Sequence, residues 1–139
     1  MHKIIKELES DNSRLAKEAI LYRELSKDNQ TLFYGFQIAL DKLVTFGVKQ
    51  VPESFGDGPG LSYGTFFMEC AEPLANRTLT GHAARDRIIE TMNKAKKDEW
   101  NYWYRRILIK DFKCGVSEST VNACVKKSKK SKYKVPVFK

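Results

Sequence analysis

Two helix starts in this 139-residue chain carry glycine where a phosphate could approach. Thr80-Gly81-His82 opens "GHAARDRIIETMNKA". Gly115-Val116-Ser117 opens a last helix whose first turn also holds Ser119. The first N–H groups of a helix lack internal acceptors, and the macrodipole leaves partial positive charge there. An anionic oxygen suits that position, and glycine lets a polymer backbone come close without meeting a side chain. Cations lead up to the second start. Counting 100° per residue from Trp100, the helix in "KKDEWNYWYRRILIKDFK" gathers Arg106, Lys110 and Lys113 into one sector beside Tyr102. Trp100, Tyr104, Ile107 and Leu108 fall on the opposite, core-facing side, with Trp103 nearer the basic sector and partly exposed. Such a stripe, ending at open amides, could track successive phosphates of a duplex. Taken one at a time, Thr80 and Ser117 are ordinary N-caps, Gly115 an ordinary C-cap and the lysines a solvated face. Spacing alone leaves both readings open.

Other chemistry is poorly supplied. Asp111 projects toward the apolar side, between Tyr104 and Ile107, where a carboxylate needs hydrogen bonds. It is expected to be structural, accepting from amides of the last helix or from Arg77 or Arg105. No residue is assigned as catalytic, because a catalytic acid needs a partner and a cleft. His2 and His82, with no CxxC pair, are too few for a zinc site, so no metal is expected. "FGDGPG" is glycine-rich but lacks the G-K-[ST] of a P-loop. Cys70, Cys114 and Cys124 read as reduced intracellular thiols filling the core.

Helical periodicity must position these groups. "HKIIKELES" is a short amphipathic helix closed by a turn around Ser10-Asp11-Asn12. The next helix places Leu15, Ala19, Tyr22 and Leu25 on one face. Asn29 caps a third, whose stripe is Leu32, Phe33, Phe36, Leu40, Leu43 and Val44, and Gly47 ends it. An irregular Gly- and Pro-rich stretch follows. Helix then resumes from about Ser62 to Asn76, kinked or broken by Pro73. Thr80 and Ser117 cap the later helices, the last running to about Lys127. The tail "KKSKKSKYKVPVFK" has seven lysines and no acid, and only "KVPVFK" shows any strand-like alternation. The expectation is all-α: one compact domain of about seven helices over residues 1–127, with an exposed basic linker over 128–139.

Charge is divided unevenly along the chain. Residues 1–72 hold 8 basic and 11 acidic side chains, and residues 73–139 hold 17 and 6. The second half is therefore suited to a polyanion, nucleic acid before an anionic membrane. No apolar run reaches the roughly 18 residues that span a bilayer, so a cytoplasmic protein without a membrane partner is expected.

"RTLTGHAARDRIIETM" followed by "RRILIKDFKCGVSEST" resembles the N-terminal DNA-binding domain of tailed-phage ATP-dependent DNA ligases. That family has a Leu-Thr-Gly-x-Ala-Ala helix start, matched by Leu79, Thr80, Gly81, Ala83 and Ala84. An Arg-Arg pair, an Asp and a Cys-Gly follow, matched by Arg105, Arg106, Asp111, Cys114 and Gly115. The resemblance implies a monomer that lies across the minor groove of nicked double-stranded DNA, indifferent to base sequence. On the reading of the two helix starts and the basic face, the contacts expected are Thr80, Gly81, His82, Arg106, Lys110, Lys113, Gly115, Val116, Ser117 and Ser119. The resemblance also implies a parent enzyme of replication, repair and recombination in the host cytoplasm. That parent uses ATP and Mg2+ to seal nicks through enzyme–AMP and DNA–AMP, with nucleotidyltransferase and OB-fold domains in the same chain. The nucleotidyl-accepting K-x-D-G is missing here: Asp57-Gly58 has Phe55 at the lysine position. The chain is thus expected to need no cofactor and to be non-catalytic alone. Two other readings compete: a free-standing helix-turn-helix protein with Ser117–Lys127 as recognition helix, and a helical interaction module with a membrane-binding lysine tail.

Overall fold

A computed structural model describes residues 1–136. Seven helical segments carry the chain, with no strand among the described residues. They are α1 (His2–Ser10), α2 (Arg14–Ser26), α3 (Gln30–Leu40), α4 (63–75), α5 (Gly81–Lys94), α6 (97–108) and α7 (Glu118–Lys127), followed by a 3-10 turn at Ser131–Tyr133. The all-α expectation and the helix count hold. Side-chain oxygens begin α2, α3, α4 and α7: Ser13 accepts from Ala16 N, Asn29 from Leu32 N, Ser62 from Thr65 N and Ser117 from Thr120 N. Each such cap is worth about 1 kcal/mol. Thr80 occupies the N-cap position of α5, but its side chain makes no capping bond.

The core is built around α6. Trp100, Trp103, Tyr104, Ile107 and Leu108 are all buried there, together with Phe33 and Phe36 of α3 and Phe66 of α4. Gly35 faces Trp103 so closely that a Cβ would overlap the indole ring. Trp103 is therefore interior, not partly exposed as expected. At 100° per residue it falls about 60° from Trp100 and about 40° from Ile107, on the same buried face, within a π turn at Trp100–Tyr104.

Helix α4 passes through Pro73 without breaking. A π turn at Phe67–Ala71 precedes the proline, and the Glu69 carbonyl, which an ordinary residue at 73 would bond, accepts from Arg87 Nη1 at 2.6 Å. Helix α3 stops at Leu40, well before Gly47, and Leu43 beyond it is 69% exposed. The buried row of α2 is Lys17, Leu21, Glu24 and Leu25. It is rotated from the expected Leu15–Ala19–Tyr22–Leu25 face, and Leu15 is left 78% exposed. Two charged side chains take core positions because the fold satisfies them. The Glu24 carboxylate accepts from Arg23 Nε at 2.8 Å and Asn29 Nδ2 at 2.9 Å, and Lys17 is satisfied by backbone carbonyls. All three cysteines are buried and free.

The tail docks where an exposed linker was expected. Tyr133 and Val135 are fully buried, Gln37 Nε2 donates to the Lys132 and Lys134 carbonyls, and Asn122 pairs with both backbone groups of Val135. Val137-Phe138-Lys139, the end of "KVPVFK" and of the expected linker, lie outside the described residues. Tyr133 Oη donates to Asp28 Oδ1 at 2.5 Å, with Lys132 and Lys130 beside it. The tyrosine bond first, and then the two ammonium groups, hold the Asp28 carboxyl below its usual range. A depressed carboxyl stabilises the fold above its unfolded value and loses that contribution as pH falls through the folded one. Asp28→Asn should therefore lower the thermal midpoint at pH 6. The gap to the parent should begin to close as pH drops below about 4 and vanish only once pH has fallen through the depressed folded value, where both side chains are neutral.

Candidate nucleic-acid interface

The expected cationic stripe does not form. Helix α6 ends at Leu108, and the chain then turns through Lys110 (φ 60°), Lys113 (φ 54°) and Gly115 (φ 73°). Lys110 and Lys113 therefore do not continue the helical row of Arg106. Arg106 is 8% exposed, and its Nη1 donates to Phe112 O at 2.7 Å and to Glu9 Oε2 at 3.1 Å. Its guanidinium lies 4.7 Å above the Tyr102 ring. Lys110 reaches across to the end of α3. Its ammonium donates to Ile38 O at 2.9 Å, to Asp41 O at 2.7 Å and to Val44 O. Desolvation lowers its pKa from the usual lysine value. The open carbonyls of a helix C-terminus and the dipole behind them favour a cation at that place. Both cationic groups are committed to partners within the protein. Lys113 is exposed and carries no ion pair among the described residues.

Asp111 is exposed too. It accepts from Lys113 N at 2.9 Å, closing the turn, and reaches neither the last helix nor an arginine. Its expected place among the apolar side chains is not found, because the helix ended before reaching it.

The two glycine-opened starts are present. At α5, Thr80, Gly81 and His82 are exposed, and Gly81 takes φ 56° with open space where a Cβ would be. A groove of about 800 Å³ runs between this start and loop 47–52, bordered by Lys49, His82, Arg85 and Ile89. Lys49 and Arg85 were not singled out from sequence, and neither has an ion pair among the described residues. The signal was available for Arg85, which follows Gly81 by one helical turn on the same exposed face.

At α7, Gly115, Ser117 and Ser119 are exposed, and the two serine hydroxyls lie 2.9 Å apart. Val116 differs: its side chain is buried and its amide turns to the Cys114 thiol. Beneath this turn lies the Lys17 ammonium, which donates to Leu8 O and, at 2.8 Å, to Cys114 O. Sequence reading missed Lys17, although its spacing with Leu21 and Leu25 is that of a buried row. The two starts rest on different supports, α5 on the π turn of α4, and α7 on α2 and the 3-10 turn.

The chain is 31% identical over 130 residues to the DNA ligases of Enterobacteria phages T4 and T6, a match that takes in 86% of this chain and 25% of each relative. It thus spans about a quarter of the length of those relatives. Among solved structures, Pmar-Lig_PreS3 and Pmar-Lig_Pre each superpose with a TM-score of 0.93 at 46% identity, over 99% of this chain and 31% of theirs. No protein-family model matches. Among the described residues no helix is long and apolar enough to cross a membrane.

Proposed function

We propose, from the premise that the chain corresponds to an N-terminal domain of the phage DNA ligases, that it grips nicked duplex DNA by its sugar–phosphate backbones. The observation that carries this reading is the pair of exposed glycine starts, Gly81 beside Lys49 and Arg85 and Gly115 beside Lys113, three cations without an ion pair among the described residues. Thr80, Gly81 and His82 meet phosphate on one side, with Lys49 and Arg85 supplying charge. Lys113, Gly115, Ser117 and Ser119 meet it at the other. Hydroxyls, amides and ammonium groups of this kind orient a protein on a duplex without reading bases. A nick can lie in any sequence, so this indifference suits the task. ATP, Mg2+, sealing and the nucleotidyltransferase and OB-fold domains belong in this proposal to the parent ligase. This chain lacks K-x-D-G and supplies the grip.

Amide resonances test the assignment residue by residue. Titration with a nicked duplex should shift Gly81, His82, Arg85, Lys113, Gly115, Ser117 and Ser119. Shifts confined to the lysine-rich segment 126–134 would move the grip to the tail and overturn the reading.

A further inference from the structure

We infer that Lys17 and Arg106 are positioning residues: from beneath, they hold the backbone of turn 112–115 with its free amide facing outward, and neither touches phosphate. This rests on the reading of that turn as part of the DNA interface. Lys17 comes from α2 and is 7% exposed; Arg106 comes from α6 and is 8% exposed. Lys17 Nζ draws in the Cys114 carbonyl at 2.8 Å, and Arg106 Nη1 draws in the Phe112 carbonyl at 2.7 Å. Alternate carbonyls of one short turn are thus pulled inward by two buried cations from different helices. In a trans peptide the N–H points opposite to the C=O. The Lys113 and Gly115 N–H groups are therefore turned away from those cations. Asp111 occupies the first at 2.9 Å. The second meets no acceptor among the described residues.

Core filling does not explain this placement. An apolar side chain of similar volume often packs a buried site as well as a charged one, or better. Capping explains only part of it. The bond from Lys17 to Leu8 O closes the C-terminus of α1, but the bonds to Cys114 and Phe112 serve the turn alone. Both cations also lie behind the surface offered to DNA, so their charge adds attraction without being the contact.

Lys17→Met keeps the length of the stem and removes the donor. The variant should fold and, well below its unfolding temperature, bind nicked duplex about tenfold more weakly, the cost of one misdirected charge-assisted contact. Its slope of log K against log salt should match the parent's, because no phosphate neutraliser is lost. Lys113→Ala should instead flatten that slope by about 0.9. Leu21→Ala, on the same helix, should lose stability and keep the parent's affinity. Arg106→Met should repeat the Lys17→Met pattern, and it stands in should Lys17→Met not fold. Parental affinity in the folded variant, or a slope flattened by about 0.9, would overturn the positioning role. If the parent itself failed to bind nicked duplex, the interface reading would fall, and the amides would still judge this one. Gly115 and Lys113 resonances should move in Lys17→Met and stay in Leu21→Ala; unmoved resonances in Lys17→Met would overturn it.

Discussion

Replacing Lys110 with methionine should destabilise the fold by about 3 kcal/mol while leaving the DNA affinity of folded molecules unchanged. The ammonium is the shared partner of the Ile38, Asp41 and Val44 carbonyls, which end α3 and shape the loop that follows. Methionine keeps a stem of similar length and removes every donor. A buried acceptor left without a partner costs about 1 to 3 kcal/mol, and water can reach part of this site, so three losses do not simply add. The positive φ at 110 is borne equally by either side chain and cancels from the comparison. Urea unfolding should show a lower midpoint with an unchanged m-value, since the surface exposed on unfolding is the same. An unchanged midpoint would contradict the capping role. A salt slope flattened by about 0.9 would mean that Lys110 meets phosphate after all.

Gly115→Val should affect stability and binding together. At φ 73° a β-branched residue is strained, and the added Cβ would meet Lys17 Cε at 3.2 Å and Nζ at 3.4 Å. Strain of this kind costs about 1 to 3 kcal/mol. The contact adds a second loss, because Lys17 can yield only by releasing the Cys114 carbonyl. By pressing on Lys17 beneath the turn, valine would also disturb the backbone that presents the outward amide and reduce DNA affinity by at least tenfold, on the order of 1.4 kcal/mol. Gly81→Ala is the instructive contrast. It has the same kind of positive φ, but nothing lies near its Cβ, so only the backbone term applies. Equal losses at the two glycines would show that the Lys17 contact contributes nothing. If Gly115→Val retained the parent's stability and affinity, the turn would have no part in the fold's tolerance or its grip.

The sequence made the helices legible wherever burial follows a regular 3.6-residue period. It placed Asn29 and Ser117 as caps, and Trp100, Tyr104, Ile107 and Leu108 in the core, and it located both glycine starts. It misled where backbone geometry departs from that period. The stop at Leu108 and the positive φ at Lys110 and Lys113 dissolve a stripe that an ideal helix would have shown. It misled again where a charge is satisfied by distant carbonyls. Lys17, Arg106 and Lys110 look like surface cations until the chain brings Leu8, Cys114, Phe112 and the end of α3 against them. The tail had one legible clue, an aromatic residue inside a lysine run. Tyr133 is the residue that anchors it on Asp28.

The central claim is that folded surface cations, and not merely a basic tail, hold the phosphates. It is tested most directly by fluorescence anisotropy over a salt series on two nicked duplexes of unrelated sequence. Each phosphate neutralised steepens log K against log salt by about 0.9 on duplex DNA, so Lys49→Ala, Arg85→Ala and Lys113→Ala combined should flatten the slope by about 2 to 3. The loss should be equal on both sequences, and alanine at Lys126, Lys127 and Lys129 should cost less affinity than that combination. A combined variant that keeps the parental slope, while the tail variant abolishes binding, would contradict the account.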